Sequence, residues 1–387
     1  MNQPLIYLIA GEPSGDLLAA RLMVALRALG GAELRFCGIG GEAMRAQGLD
    51  SLFPQADLAI MGLAEVVPRI PKLLGRLRQT MADIRRMRPD VIVTVDSWGF
   101  SGRIHQQLKE EGYPAPRIHY VAPMVWAWKE RRVHSLASRL DLLLCLLPNE
   151  PAYFQKVKLP AVHVGHAVLE SGAEKGNGEA FRLRHHIAPD TPLLCVLPGS
   201  RHSETSRLLP VFAQTVEALR AHYPNLQLVV PTVETVAKEV SAAVRAWDAP
   251  VTVVFGQQER YDAFAACQTA LAASGTVALE LAMASLPMVI AYRVAPLTAF
   301  LIRFLLKVKN VCLLNLLMGR EIVPEFLQEQ CRAEILAPAV LELMEKGAAR
   351  QSQLAGIREA LERLGQDKGS PSQRAADFIL TSIRKVP

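Results

Sequence analysis

Short runs of uninterrupted apolar residues, each breaking into a small glycine- or serine-bearing turn and then a helical pattern, constrain this chain more than any other feature. The first is Leu5-Ile6-Tyr7-Leu8-Ile9-Ala10, which breaks into Gly11-Glu12-Pro13-Ser14-Gly15-Asp16 and then into an amphipathic stretch from Leu17 to Leu29. A strand apolar at every position, rather than at alternate ones, is buried on both faces, the condition of a parallel strand covered by helices. The two glycines permit close backbone approach, and Ser14 or Asp16 is a candidate helix cap. The turn is not a GxGxxG fingerprint, so no dinucleotide is implied. A second turn, Gly38-Ile39-Gly40-Gly41, follows Leu34 to Cys37. Both turns mark carboxyl ends of parallel strands, where open α/β sheets bind ligands.

The same rhythm continues along the chain. Asp90 to Val95 delivers Asp96-Ser97-Trp98 at its carboxyl end, and Ile118 to Val121, Leu140 to Leu147 and Ala161 to His166 read as further strands. A carboxylate on that rim is placed for proton abstraction, although a turn former or helix cap fits the same residue. Trp126 and Trp128, two apart beside a basic cluster, either line a sugar or acyl site or pack. Glu170 to Glu179 is small, polar and glycine-rich and reads as a linker. Beyond it the rhythm restarts at Leu193 to Leu197, with the turn Pro198-Gly199-Ser200-Arg201 and a helix from about Ser203, followed by strands at 226–230, 251–254, 269–273 and 287–292. Two βαβ domains follow from this order.

The turn Ser274-Gly275-Thr276, entering a helix with Glu280 about one turn in and ending at Pro287, stands out for chemistry. Backbone N–H groups at a helix start suit phosphate oxygens, the two hydroxyls add donors, and a carboxylate one turn on suits ribose hydroxyls. An ordinary βα connection with a capping hydroxyl fits the same residues.

A net charge of +6 and a pI near 9 point to an anionic partner without choosing between nucleic acid, nucleotide and membrane surface. No helix-turn-helix and no basic-aromatic platform favours nucleic acid. Six scattered cysteines without metal-ligand spacing read as buried thiols, and no DxD motif is present, so no metal or cofactor is expected. No signal peptide precedes the first strand and no stretch suits a membrane span, so a cytoplasmic protein is expected. Between Met61 and Leu77, Val66, Val67, Ile70, Leu73 and Leu74 keep helical spacing among Arg69, Lys72 and Arg76. This is the pattern of an interfacial segment, or of a core-facing helix with a solvated basic side. Pro68 and Pro71 place the start of regular helix near 71. The apolar stretch from Val294, with Arg303, Lys307 and Lys309 toward its end, fits a buried interdomain helix or a membrane-surface helix equally.

Arg201 after Pro-Gly-Ser suits a diphosphate, because guanidinium offers several donors and keeps its charge. Together these features resemble a GT-B-type glycosyltransferase, and more closely the lipid-A-disaccharide synthase family. The resemblance is carried by Gly11 to Asp16, Gly38 to Gly41, Val125-Trp126-Ala127-Trp128, Leu197 to Arg201, Ala273 to Thr276 with Glu280, and Asn315-Leu316-Leu317, in the family's order. The chain departs from it at Gly165-His166-Ala167, where Gly-His-Pro is frequent.

The resemblance implies two Rossmann-like parallel-sheet domains facing across a cleft. They would be an acceptor-binding domain over 1–168 with the basic-apolar segment facing a membrane, and a UDP-sugar-binding domain over 169–345, with carboxyl-terminal helices over 346–387. It implies joining of UDP-2,3-diacylglucosamine to 2,3-diacylglucosamine 1-phosphate, with inversion, giving the β-1,6-linked disaccharide and UDP. Asp96 matches the family's base. Ser200, Arg201, Ser274, Gly275, Thr276 and Glu280 match the nucleotide-sugar site, and Glu12, Ser14 and Asn315 the substrate cleft. It further implies peripheral association with the anionic cytoplasmic face of the inner membrane, allows a homodimer, and leaves another UDP-sugar enzyme, an epimerase or a peptidoglycan-precursor transferase, as the alternative.

Overall fold

The computed structural model describes residues 3–58, 63–123, 132–295 and 310–384, with side-chain detail from residue 70 onward in the helix that begins at Leu63. The chain divides into two compact units, 1–167 with 364–387, and 168–363.

In the first unit β1 (Leu5–Ala10), β2 (Arg35–Ile39), β3 (Val91–Val95), β4 (Arg117–Tyr120), β5 (Leu142–Cys145) and β6 (Ala161–His163) form one parallel sheet in the order β2-β1-β3-β4-β5-β6. The unbroken apolar code of β1 has the expected cause. Ile6, Leu8 and Ala10 enter one buried cluster, and Tyr7 and Ile9 enter another on the opposite face. Alternate side chains of a strand point to opposite faces, so a fully apolar strand needs helices on both. One cover is the pair Pro13–Gly30 and Pro371–Arg384, whose Leu18, Leu22, Leu26, Ala375, Ala376 and Ile379 share the first cluster. The other includes helices Leu63–Met87 and Trp98–Glu110, which contribute Leu77, Met81, Ile84, Ile104 and Leu108.

The second unit repeats the plan with β7 (Leu193–Leu197), β8 (Gln227–Pro231), β9 (Val251–Val254), β10 (Thr269–Ala273), β11 (Met288–Tyr292) and β12 (Glu325–Leu327), parallel in the order β12-β11-β10-β7-β8-β9. Helices His202–Arg220 and Ala333–Met344 bury Phe212, Val216, Leu336 and Val340 against one face. Gln353 of the helix Ala348–Leu364 accepts from the Met288 N–H at 2.7 Å and donates to its carbonyl at 3.0 Å. That helix therefore belongs with the second unit, which runs to Arg363, past the boundary expected at 345.

Several local expectations are corrected. The helix after β1 begins at Pro13, not Leu17, because proline is pre-organised for a first helical turn. Its N-cap is Glu12, without a side-chain capping bond. Asp16 instead caps across the fold. Its carboxylate accepts from the N–H groups of Gly41 (2.7 Å), Ala43 (2.9 Å) and Met44 (3.1 Å), where the short helix Glu42–Ala46 starts after β2. Helix Leu63–Met87 runs through Pro68 and Pro71 rather than starting after them. The helix after Thr276 ends at Met283, ahead of Pro287. Strand β12 carried no sequence signal because only three residues pair.

Asp16 is buried, and losing it strands three backbone donors. Asp16→Ala is expected to cost about 2–3 kcal/mol in urea unfolding, against less than about 0.5 kcal/mol for Asp50→Ala at an exposed position.

Candidate active site

The first unit's sheet reverses its direction of winding between β1 and β3, and the two loops leaving that point meet. Gly11 lies where a Cβ would come 3.1 Å from the Ser97 Cβ, so the absence of a side chain lets the post-β1 loop reach the post-β3 turn. There Glu12 accepts from the Ser97 hydroxyl at 2.8 Å. Asp96 (φ +55°) and Ser97 (φ +43°) are consecutive non-glycine residues in the left-handed region, and Val121, following β4, has φ +83°. Such residues are strained and persist only where surroundings hold them. The Asp96 N–H is held by the Tyr120 carbonyl at 2.9 Å, and its carboxylate accepts from the Ser97 N–H at 2.8 Å. Burial raises the Asp96 carboxyl above its ordinary pKa, the Ser97 bond opposes this, and the Glu12 charge adds to it.

Beneath this turn lies a polar cluster with no sequence signature. The Thr94 hydroxyl is 2.7 Å from both His105 Nε2 and His119 Nδ1, so it donates to one ring and accepts from the other. Both rings are fully buried. His105 Nδ1 and His119 Nε2 make no hydrogen bond among the described residues. Trp98, the first residue of its helix, sits edge-on to His119 at 4.9 Å and stacked near His105 at 6.1 Å. Burial lowers the His119 pKa to about 3 and pushes His105 well below its usual value.

In the second unit the reversal falls between β7 and β10, and a cavity of about 400 Å³ opens at their carboxyl ends. The loop after β7 lines it with Gly199, Ser200 and Arg201, and the turn after β10 with Ser274, Gly275, Thr276 and, a turn later, Glu280. Glu204 folds back on its own loop, accepting from the Ser200 N–H at 2.9 Å and from Arg201 Nη1 at 3.1 Å. Gly199 (φ +113°) is required here, because a Cβ would lie 2.6 Å from Glu204. Arg201 remains largely exposed, its guanidinium aligned by a carboxylate that is itself buried. On the opposite wall Glu280 Oε1 accepts from Arg260 Nη2 at 3.1 Å and from the Tyr261 hydroxyl at 3.3 Å. Burial raises the Glu280 carboxyl, and Arg260 and Tyr261 oppose that shift. Two arginines, a hydroxyl-bearing helix start and a half-buried carboxylate suit a diphosphate joined to a diol.

Comparison with known proteins shows the family and the fold. The profile of the family described as LpxB, Lipid-A-disaccharide synthetase, matches residues 6–379. The lipid-A-disaccharide synthase of Paramagnetospirillum magneticum is 60% identical over 383 residues, covering 98% of this chain and 98% of that protein. The chain belongs to the lipid-A-disaccharide synthetase family. The synthase of Rhodospirillum centenum is 51% identical over 385 residues, covering 100% of this chain and 96% of its own. Among solved structures, the S. aureus MnaA-UDP co-structure shares the fold at a TM-score of 0.64 and 13% identity, covering 100% of this chain and 99% of that one. The two parallel six-stranded sheets are those of the GT-B fold.

Of the residues that the family resemblance singled out, Ser200, Arg201, Ser274, Gly275, Thr276 and Glu280 all line the one cavity. Glu12 joins Asp96 through Ser97, while Ser14 is exposed on the first turn of its helix. Asn315 is a correction. It is fully buried, accepting from the N–H groups of Ile322 and Val323 and donating to the Val323 carbonyl, so its amide closes a loop instead of lining a cleft. Trp126, Trp128, residues 296–309 and the side chains of Val66, Val67 and Arg69 lie outside the described residues. Sequence reasoning missed Glu204, Arg260, Tyr261 and the Thr94 cluster. Only Glu204 carried a signal, three residues after a helix N-cap at Arg201.

The buried imidazoles give a pH dependence. In the unfolded chain a histidine protonates near pH 6.5, whereas His119 does so at about 3 and His163 and His166 at about 4, with burial the leading cause. The folded state thus binds fewer protons, so this stability is present above pH 6.5 and is lost as pH falls toward 3. The His105 and His119 ring signals are expected not to titrate between pH 8 and 5 by NMR. The urea midpoint is expected to fall progressively below about pH 6.5.

Proposed function

We propose that this chain makes the lipid A disaccharide by inverting transfer from UDP-2,3-diacylglucosamine to 2,3-diacylglucosamine 1-phosphate, releasing UDP. The observation that carries the reading is the cavity at the carboxyl ends of β7 and β10, in a chain whose family membership spans nearly its whole length. Asp96 takes the proton of the acceptor's 6-hydroxyl as that oxygen attacks the donor's anomeric carbon. The carbon–oxygen bond to the diphosphate breaks on the opposite face, and UDP leaves with its electron pair. Arg201 and the donors of Ser274 to Thr276 stabilise the charge gathering on UDP, and Glu280 holds the ribose. Holding two substrates together supplies much of the acceleration. The raised Asp96 carboxyl supports its assignment, because a base works best with a pKa closer to the working pH.

The direct test is UDP release with and without acceptor, with the product identified by mass spectrometry. Acceptor-dependent UDP and a disaccharide monophosphate are expected, and UDP binding without transfer overturns the acceptor assignment. Asp96→Asn is expected to cost at least about a hundredfold in kcat with UDP affinity unchanged. The acid limb of the kcat profile is expected at higher pH than an unperturbed aspartate would give, and Glu12→Gln moves it to lower pH, because the Glu12 charge adds to the shift.

Membrane docking is the second part of the proposal. Among the described residues no helix is long and apolar enough to cross a membrane. Ile70 and Leu74 are nonetheless exposed on the helix Leu63–Met87, an apolar pair beside exposed Arg78. Lys72 and Arg76 are both drawn to Asp57, at 2.5 and 2.6 Å, which lessens their part in lipid attraction. Apolar insertion therefore supplies much of the binding, at the cytoplasmic face of the inner membrane. In flotation with anionic vesicles, Ile70→Ser with Leu74→Ser is expected to lower the bound fraction several-fold at low salt, and an unchanged fraction removes this helix from the interface.

A further inference from the structure

Glu280 has a geometric requirement that its own residue type does not meet. The last torsion of a glutamate side chain is broad, so its carboxylate plane is free unless something holds it. Here two donors from the helix Gln257–Ala266, Arg260 Nη2 and the Tyr261 hydroxyl, converge on the same oxygen, Oε1. A carboxylate has about four lone-pair sites, two on each oxygen, so two remain on Oε2. Two is the number of donors that a vicinal diol offers.

We propose that Arg260 is a positioning residue that makes Glu280 selective for a ribose: by fixing Oε1 it presents Oε2 to the two neighbouring hydroxyls of a nucleoside diphosphate. This rests on the reading of the cavity as a nucleotide site. Arg260 lines that cavity with Glu280, and their side chains keep 27% and 22% exposure, so the pair lies on the wall that a ligand meets. The Arg260 guanidinium also lies 5.3 Å from the centre of the Tyr261 ring, which fixes the two donors relative to one another. Its Nε is buried without a hydrogen bond among the described residues. Arg260 further opposes the burial that raises the Glu280 carboxyl, keeping it an acceptor for both hydroxyls.

The test uses the full chain and calorimetric titration with UDP, 2′-deoxy-UDP and 3′-deoxy-UDP. The parent is expected to prefer UDP by about tenfold or more over each deoxy analogue, since a site built to bond a hydroxyl rejects the ligand lacking it. Arg260→Ala is expected to weaken UDP about tenfold while leaving the analogues nearly unchanged, so that the preference falls to within about threefold. Arg260→Met keeps the apolar stem over Tyr261 without the donors. It makes the same comparison should the alanine variant not fold. A merely structural arginine weakens all three ligands alike, so an undiminished preference in both variants overturns the inference, as does a parent without preference. A parent that fails to bind UDP at all overturns instead the nucleotide reading beneath it.

Discussion

Parallel pairing fixes where this protein can do chemistry. A connection between parallel strands must cross one face of the sheet, and it does so with one hand. In the first unit the chain winds outward from β1 to β2, then returns to β3 on the other side of β1. In the second it winds from β7 through β8 to β9, then returns to β10 beside β7. At each reversal, neighbouring strands send their loops to opposite faces, and a crevice is left at their carboxyl ends that no connection covers. Glu12, Asp96 and Ser97 gather at the first reversal, and Arg201, Glu204, Ser274 and Glu280 at the second. The apolar strands exist to be covered by helices, and the uncovered points are a by-product of the same covering.

Holding polar groups at those points has a conformational cost. Asp96 and Ser97 together occupy a region that costs on the order of 1–3 kcal/mol per residue, and Val121, β-branched at positive φ, adds to it. The ladder from β3 to β4 and the buried face of the helix Trp98–Glu110 hold the turn in place. The Thr94, His105, His119 and Trp98 cluster belongs to that support: two neutral imidazoles sharing one hydroxyl form a stiff polar layer under the first turn of the helix. A purely apolar layer fills the same volume but specifies one arrangement less well.

The strands, the division near residue 168 and the strand–turn–helix order around 274–276 were legible because each rests on a local code. Leu5–Ala10 is apolar throughout, Glu170 to Glu179 is polar and glycine-rich, and Ser274 to Thr276 links a strand to a helix. What stayed hidden depends on partners distant in sequence. Asp16 reads as a cap for its own helix, yet it caps residues 41–44, a choice made only when β1 and β2 pair. The family resemblance implies a place for Asn315 in the substrate cleft, but its amide is consumed by backbone groups of 322 and 323. Pro68 and Pro71 read as helix breakers, whereas tertiary context carries the helix through both. Arg260 sits in an unremarkable polar helix and acquires meaning only beside Glu280 on the cavity wall.

The two reversals differ in how they treat their carboxylates, and the difference separates the proposed roles. In the second unit the two carboxylates that line the cavity are each matched with an arginine, Glu204 with Arg201 and Glu280 with Arg260. Each pair holds its carboxylate and its guanidinium in one orientation, and Arg260 opposes the burial that raises the Glu280 carboxyl, which suits binding a ligand whose charge does not change as it is held. In the first unit the groups acting on Asp96 are burial, the Ser97 N–H and the like charge of Glu12, and among the described residues no cation acts on it. Two of those three influences favour the protonated form. A carboxylate so placed takes up a proton more readily than a surface aspartate, which is what a base requires at the moment of attack. Moving an arginine beside Asp96 would remove that readiness, just as removing one beside Glu280 would free a carboxylate that has to stay fixed.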